Sequence, residues 1–515
     1  MIYVFFDRPD FEYDVHSLVK AFFPKEDVAL YYTCPEEEVA GKNVACMHRT
    51  AGDLTEEELA AASHILEVAC GEAEMTLYWR QLPGVACDGV AQGASPESGR
   101  RVCFPICADR SATKNALKQQ LYGLLAEYCG KTLPWGTLTG IRPTKLARKL
   151  LEEGKEDAEI AASMKASYLV SDEKLRLATD IAKREKALLD PLDYENGYSL
   201  YIGIPFCPST CLYCSFTSYP LAAWRGKVDD YLDALEREID FAAAKLYHKK
   251  LNSVYIGGGT PTTLEPYQLD RLLRKLKCSF DFKHCLEFTV EAGRPDSVTR
   301  KKLAVLRRHG ITRISVNPQT MKQETLDLIG RHHTVEQTIK SFQLARELGF
   351  DNINMDLILG LPEETLGDVR NTMEALTKLA PDNVTVHSLA VKRAARLNIR
   401  KERYGKMQMV NTQEHMELCA QYCEQMGLFP YYLYRQKSMA GNMENVGYAK
   451  PGKAGIYNVL IMEEVQTIVA LGAGSITKRV YPDGTIKRCE NVKDVAQYIT
   501  RIDEMIERKR VLLSD

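Results

Sequence analysis

The sequence predicts an α/β protein built on a partial (β/α)6 barrel, with an α+β region before it and a small mixed domain after it. Three observations carry this. Between residues 199 and 387, short runs rich in β-branched side chains alternate six times with longer amphipathic stretches, the pattern of parallel strands joined by helices. Most of these runs show little polar alternation, as strands covered on both faces do. A linker-like stretch at 191–197, bounded by Pro191 and Gly197, sets this block apart from what precedes it.

The N-terminal region, 1–193, opens with an apolar strand at 2–6 and closes with charged helical segments between 157 and 189. Within it Gly140, Ile141, Arg142, Pro143, Thr144 and Lys145 form a turn into a basic helix over 145–153. The barrel domain, 194–400, places its six strands at 199–204, 252–256, 286–291, 312–316, 352–357 and 383–387. In such sheets ligands lie beyond the carboxyl ends of the strands, so the loops after each strand are where chemistry is expected. The C-terminal domain, 401–515, carries Gly-rich stretches at 441–455 and 471–475.

A chain of 515 residues that is 45% hydrophobic has ample material for a core. Its net charge of −2 supplies no overall field for nucleic acid or anionic membrane, so neither is an expected partner. No run approaches the roughly 20 apolar residues of a membrane span, and no secretory leader opens the chain, which leaves the cytoplasm as the expected compartment. Thiols stay reduced there, so closely spaced cysteines among the 15 read as metal-binding, catalytic or buried rather than disulfide-bonded.

Directly after the first barrel strand run Cys207, Pro208, Ser209, Thr210, Cys211, Leu212, Tyr213 and Cys214. Three thiolates on one loop can each ligate one iron of a [4Fe–4S] cubane and leave the fourth iron without a protein ligand. A structural zinc would call for four ligands. The pairs Cys103 with Cys107 and Cys419 with Cys423 have helical spacing and read as packed thiols rather than a second metal site. The second strand ends in Gly257, Gly258, Gly259, Thr260, Pro261 and Thr262, a turn that admits a ligand close to the backbone. Glu291, Gln319 and Asp356 fall at the ends of the third, fourth and fifth strands, where carboxylates and an amide can meet hydroxyls or an ammonium group. Arg331 adds a cationic fork, and His332 and His333 read as a solvated helix start. The basic helix with Arg142, Lys145 and Arg148 reads as a solvated face.

The three-then-two spacing of the cysteines resembles the signature of the radical S-adenosylmethionine superfamily. The run 200–207, the GGGTPT turn, Glu291, Gln319 with Arg331, and the run 356–362 narrow the resemblance to the oxygen-independent coproporphyrinogen III oxidase family. The resemblance implies a radical S-adenosylmethionine barrel holding a [4Fe–4S] cluster on Cys207, Cys211 and Cys214. It implies S-adenosylmethionine contacts at Tyr201, Tyr213, Gly258, Gly259, Thr260, Glu291, Gln319, Arg331, Asp356, Ala390 and Ile476, with Tyr201 and Glu291 also the expected catalytic groups. The long N-terminal region with its Gly-Ile-Arg-Pro-Thr-Lys turn is similar to the coproporphyrinogen dehydrogenase branch. That branch implies an oxidoreductase converting coproporphyrinogen III to protoporphyrinogen IX in haem biosynthesis, with a flavodoxin- or ferredoxin-type reductant. Phe216 stands where the oxidases carry a further cysteine and haem chaperones carry phenylalanine, and Gly203 stands where both usually have histidine. The haem-associated motif of the chaperones is replaced by Tyr457, Asn458, Val459, Leu460, Ile461 and Met462. A haem chaperone keeping the cluster, and a radical enzyme acting on haem or RNA, are the alternatives.

Overall fold

A computed structural model describes residues 1–8, 10–33, 49–82, 99–140, 142–390, 395–399, 407–435 and 443–514. Ile141 of the expected turn, Arg400 of the expected domain boundary and Gly441 of the Gly-rich stretch lie outside the described residues. The chain forms two compact units, Met1–Thr179 and Asp180–Asp515.

The first unit is built on a five-stranded sheet of β1 (Ile2–Phe6), β2 (Val28–Tyr32), β3 (His64–Cys70), β4 (Glu74–Gln81) and β5 (Arg100–Pro105), in the order β2-β1-β3-β4-β5. The opening apolar run becomes the inner strand β1, buried at every position and paired in parallel with β2 and β3. The helix Arg110–Cys129 starts where Asp109 accepts the Ala112 amide and stops at Gly130. Its Leu117, Leu121 and Leu125 join Phe6 and Phe22 in one apolar core. Each such side chain contributes roughly 1.5–3 kcal/mol by burial.

The second unit holds an eleven-stranded sheet. Six strands run in parallel, side by side: β6 (Gly197–Ile204), β9 (Lys250–Gly258), β10 (Glu287–Glu291), β11 (Arg313–Ser315), β12 (Ile353–Leu359) and β13 (Asn383–Ser388). A two-stranded ribbon, β7 (Phe206–Cys207) with β8 (Tyr219–Pro220), frames the cysteine loop. These six strands are those expected from the apolar runs. Three of the helices between them begin at side-chain caps: Thr299 accepts the Lys302 amide, and Thr334 with Gln337 and Thr365 with Asp368 form capping boxes.

The segment expected as a separate small domain contributes to the same sheet at both edges. Beyond β13 lie β15 (Asn445–Ala449) and β14 (Phe429–Tyr434); beyond β6 lie β16 (Thr467–Leu471), β17 (Ile476–Val480) and β18 (Ile486–Glu490). An open six-stranded barrel leaves the N–H and C=O groups of its first and last strands unpaired, and these additions satisfy them. Behind β6, the helix Val228–Leu246 carries Glu238, which is fully buried. Its carboxylate takes the Lys509 ammonium at 2.7 Å, the Tyr498 hydroxyl at 2.6 Å and the Gly472 amide at 2.8 Å, tying the loop after β16 to the barrel. No helix among the described residues is long and apolar enough to cross a membrane.

Candidate active site

At the carboxyl ends of the parallel strands lies a cavity of about 420 Å³, within the range of small-molecule sites. Cys207, Cys211 and Cys214 border it, with Tyr201 from β6, Gly258 from β9 and Glu291 from β10. Gln319, Arg331, Asp356 and Ala390 also line it, and Tyr213, Gly259 and Thr260 complete the expected set. Ile476, at the start of β17, is not among the lining residues, and 45% of its surface is exposed.

The glycine turn and the cysteine loop are stitched together. The Gly259 amide donates to the Ile204 carbonyl and the Thr260 amide to the Phe206 carbonyl, each at 2.7 Å. Gly258 has φ of 104°, a conformation that disfavours any side chain. A Cβ on Gly259 would lie 2.6 Å from the Phe206 carbonyl oxygen, so the approach requires glycine. Gly259→Ala is therefore expected to push the chain at Cys207 outward. Iron per chain after anaerobic reconstitution should fall several-fold, whereas an unchanged iron content would show that the loop tolerates the shift.

Burial pushes the Cys207 thiol up to about 11, the Thr260 hydroxyl at 3.5 Å moderates this, and the neighbouring Cys214 and Cys211 raise it further. Burial likewise raises Cys214. Among the described residues no three His, Cys, Asp or Glu side chains converge on a point as ligands of a single ion would. A cubane distributes its protein ligands over different irons, so thiols spaced around a cavity are the fitting arrangement. Arg294 supplies nearby positive charge: its Nη1 lies 3.7 Å from the Cys211 sulfur and 3.2 Å from the Ser209 hydroxyl. A cation there favours the thiolate that iron requires.

Gln319 has φ of 68°, unusual for a residue with a side chain and costing on the order of 1 kcal/mol. The chain is held so by the Gln319 amide donating to Asp356 and the Ile358 amide donating back to Gln319, at 3.0 and 2.9 Å. The Gln319 side-chain Oε1 is buried without a hydrogen-bond partner, an acceptor fitted to an ammonium group such as that of S-adenosylmethionine. Arg331, expected as a cationic fork, donates to the Tyr213 hydroxyl at 3.0 Å and to the Gly293 and Asn317 carbonyls at 2.7 and 2.8 Å. It thereby fastens the cysteine loop to the ends of β10 and β11, and its Nε alone is buried without a partner.

Glu291 accepts from the Tyr255 hydroxyl at 2.5 Å. Burial raises its carboxyl to about 7, with the Tyr255 hydrogen bond opposing and the Asp356 charge reinforcing. Asp356 is held below the ordinary range: burial pushes it up, but His387, 3.9 Å away, and the Asn354 amide at 2.7 Å outweigh this. Because the folded carboxyl of Glu291 titrates above the ordinary 4.5, the native apoprotein holds a proton that the unfolded chain releases first. Its stabilising contribution is full below about 4.5 and is lost as pH rises through about 7. Glu291→Gln should abolish that part of the pH dependence, roughly 3 kcal/mol across the window, read by urea unfolding at a series of pH values.

The lining residues Tyr255 and Arg313 were not singled out from sequence. Tyr201, Tyr255 and Tyr457 stack, with Tyr255 and Tyr457 ring centroids 4.6 Å apart at 20°. Tyr255 precedes the glycine run at the inward register of β9, and Arg313 is a lone cation in the apolar run of β11; both signals were present. His333, expected in a solvated helix start, is fully buried, and burial with the Arg331 charge pushes its imidazole down to about 3. Cys103 lies exposed on strand β5 rather than on a helix, while Cys419 and Cys423 are fully buried on the helix Gln413–Gln425.

Residues 201–376 match the radical SAM superfamily model. The oxygen-independent coproporphyrinogen-III oxidase-like protein HemZ of Bacillus subtilis is 43% identical over 401 residues, covering 77% of this chain and 80% of that protein. The chain belongs to this radical SAM family. Heme chaperone HemW of B. subtilis is 34% identical over 59% of this chain and 76% of its own. The structure of coproporphyrinogen III oxidase HemN from Escherichia coli, described as a radical SAM enzyme, superposes with a TM-score of 0.50 at 25% identity, covering 62% of this chain and 72% of that one. Membership of the radical SAM family implies a [4Fe–4S] cluster and S-adenosylmethionine, and the three thiols and the orphan Gln319 acceptor fit both.

Proposed function

We propose that this protein carries out oxygen-independent oxidative decarboxylation of coproporphyrinogen III, turning two propionate side chains into vinyl groups. The observation that carries the reading is one cavity shared by the cysteine loop, the strand-end polar groups and a tyrosine stack, in a chain 43% identical to a coproporphyrinogen-III oxidase-like protein. Together with S-adenosylmethionine, a [4Fe–4S] cluster would supply the one-electron chemistry needed to remove a hydrogen atom from the propionate β carbon. Each side chain then loses carbon dioxide and one electron, the electron passing to an acceptor, and the double bond forms. Cys207, Cys211 and Cys214 would hold the cluster. Gln319 would accept from the methionine ammonium, Glu291 and Asp356 would accept from ribose hydroxyls, and the Gly258–Thr260 backbone would face the cofactor. Tyr201, stacked on Tyr255 and Tyr457, walls the reacting atoms from water. A flavodoxin- or ferredoxin-type protein supplies the reducing electron.

The test is anaerobic incubation of the reconstituted protein with S-adenosylmethionine, dithionite and coproporphyrinogen III, followed by chromatography. Protoporphyrin after oxidation of the product supports the proposal; 5′-deoxyadenosine with intact coproporphyrin contradicts it. A haem-carrying role is the second reading, favoured by Phe216, which stands beside the cysteine loop and is 72% exposed. Stable haem absorption after gel filtration, without decarboxylation, would select it.

A further inference from the structure

Arg313 is the cation in the cavity that the arrangement described above leaves without work. It sits on β11, is 1% exposed, and lines the same cavity as the cysteines. Its Nε and Nη2 are both buried without a hydrogen-bond partner, and no carboxylate among the described residues lies within ion-pair distance. Glu287, a nearby acidic group, is already engaged: Oε1 accepts from the Thr289 hydroxyl at 2.7 Å and Oε2 from the Tyr457 amide at 3.1 Å. The other two cavity guanidinium groups are engaged as well, Arg331 by backbone carbonyls and Arg294 by Asp296.

Nε and Nη2 form the side-on edge of a guanidinium, whose parallel N–H bonds match the two oxygens of a carboxylate. Arg294 uses the same pair of nitrogens to hold both oxygens of Asp296, at 3.1 and 2.8 Å. Room is left beside the group by Gly455, where a Cβ would come 3.4 Å from the Arg313 Cζ and 3.0 Å from the Tyr431 hydroxyl. On the β15 side of the cavity Asn445 presents a further buried donor, its Nδ2, without a partner, while its Oδ1 accepts the Ser388 amide at 2.8 Å. Leaving a buried guanidinium unpaired costs several kcal/mol, which a ligand bearing a carboxylate offsets.

We propose that the Nε and Nη2 edge of Arg313 is the recognition site for a carboxylate of the substrate, making Arg313 a specificity-determining residue of this cavity. This rests on the tetrapyrrole reading above and deepens it: the ligand must be a carboxylic acid, and its ester is discriminated against. The methionine carboxylate of S-adenosylmethionine carries the same chemistry, so the test separates the two sources.

The experiment titrates the reconstituted protein with coproporphyrin III and with its tetramethyl ester, following porphyrin fluorescence, for the wild type and Arg313→Met; S-adenosylmethionine binding is measured in parallel. The wild type should prefer the acid, and Arg313→Met should weaken acid binding by about tenfold to hundredfold while leaving ester binding near its wild-type value. If Arg313→Met fails to fold, Arg313→Lys, which keeps the charge but loses the fork, is put through the same comparison and should narrow the preference for acid over ester. Equal weakening of acid and ester, or no weakening, overturns the assignment alone. Loss of S-adenosylmethionine binding with porphyrin binding intact assigns the fork to the methionine carboxylate and overturns it too. Failure of the wild type to bind either porphyrin overturns the tetrapyrrole reading, and this assignment with it.

Discussion

Cys211→Ala, reconstituted anaerobically with iron and sulfide, is expected to emerge colourless and to form no 5′-deoxyadenosine from S-adenosylmethionine and dithionite. With Cys207 and Cys214 alone, a cubane would lose one of three anchors, and among the described residues no other cysteine lines the cavity to replace it. The fold should survive. Cys211 is buried on a loop held by backbone bonds of its neighbours, with the Leu212 amide donating to the Ile329 carbonyl at 2.9 Å and the Leu397 amide to the Leu212 carbonyl at 3.0 Å. Removing a thiol leaves only a small void there, and the unfolding midpoint of the apoprotein should move little. A brown variant that still cleaves S-adenosylmethionine would contradict the assignment of this loop.

The second large effect concerns Lys509, far from the cavity in sequence. Lys509 and Glu238 are both fully buried and 2.7 Å apart, and the ammonium also donates to the Asn491 Oδ1 at 2.5 Å. Lys509→Met strands the Glu238 carboxylate in the interior and should cost about 3–5 kcal/mol of stability, measured by urea unfolding of the apoprotein. Glu238→Gln combined with Lys509→Met should recover much of the loss, because no uncompensated charge then remains. The consequence reaches the site. Glu238 holds the Gly472 amide, and Ala473 donates to the Tyr231 hydroxyl, which in turn donates to the Gly203 carbonyl two residues before the turn into the cysteine loop. Lys509→Met should therefore also lower iron incorporation. A loss of stability below about 1 kcal/mol would show that the pair is solvated in solution.

What was legible in the sequence follows from what local patterns encode. The six parallel strands announced themselves because each is a short apolar run between longer amphipathic stretches, and the cysteine and glycine loops because few other arrangements use those residues at that spacing. The placement of 443–449 and 467–490 was not legible, since nothing local says that a strand completes the edge of a barrel begun far earlier in the chain. The Lys509 and Glu238 pair is hidden for the same reason. Arg331 illustrates a different limit: its position beside the cavity was readable, but its occupation by two backbone carbonyls depends on how β10 and β11 end. Of the strands in the N-terminal unit only β1 was read, because β4 alternates buried with half-buried positions, a weaker signal than the all-buried run of residues 2–6.

The central claim is that one cavity brings the cluster, S-adenosylmethionine and a propionate side chain together for hydrogen-atom transfer. The direct measurement uses coproporphyrinogen III deuterated at the propionate β carbons, in anaerobic turnover with the reconstituted protein. The expected result is 5′-deoxyadenosine carrying one deuterium, formed alongside the vinyl product. Deoxyadenosine free of deuterium, with the porphyrinogen returned unchanged, would contradict the claim and leave a radical enzyme whose substrate lies elsewhere.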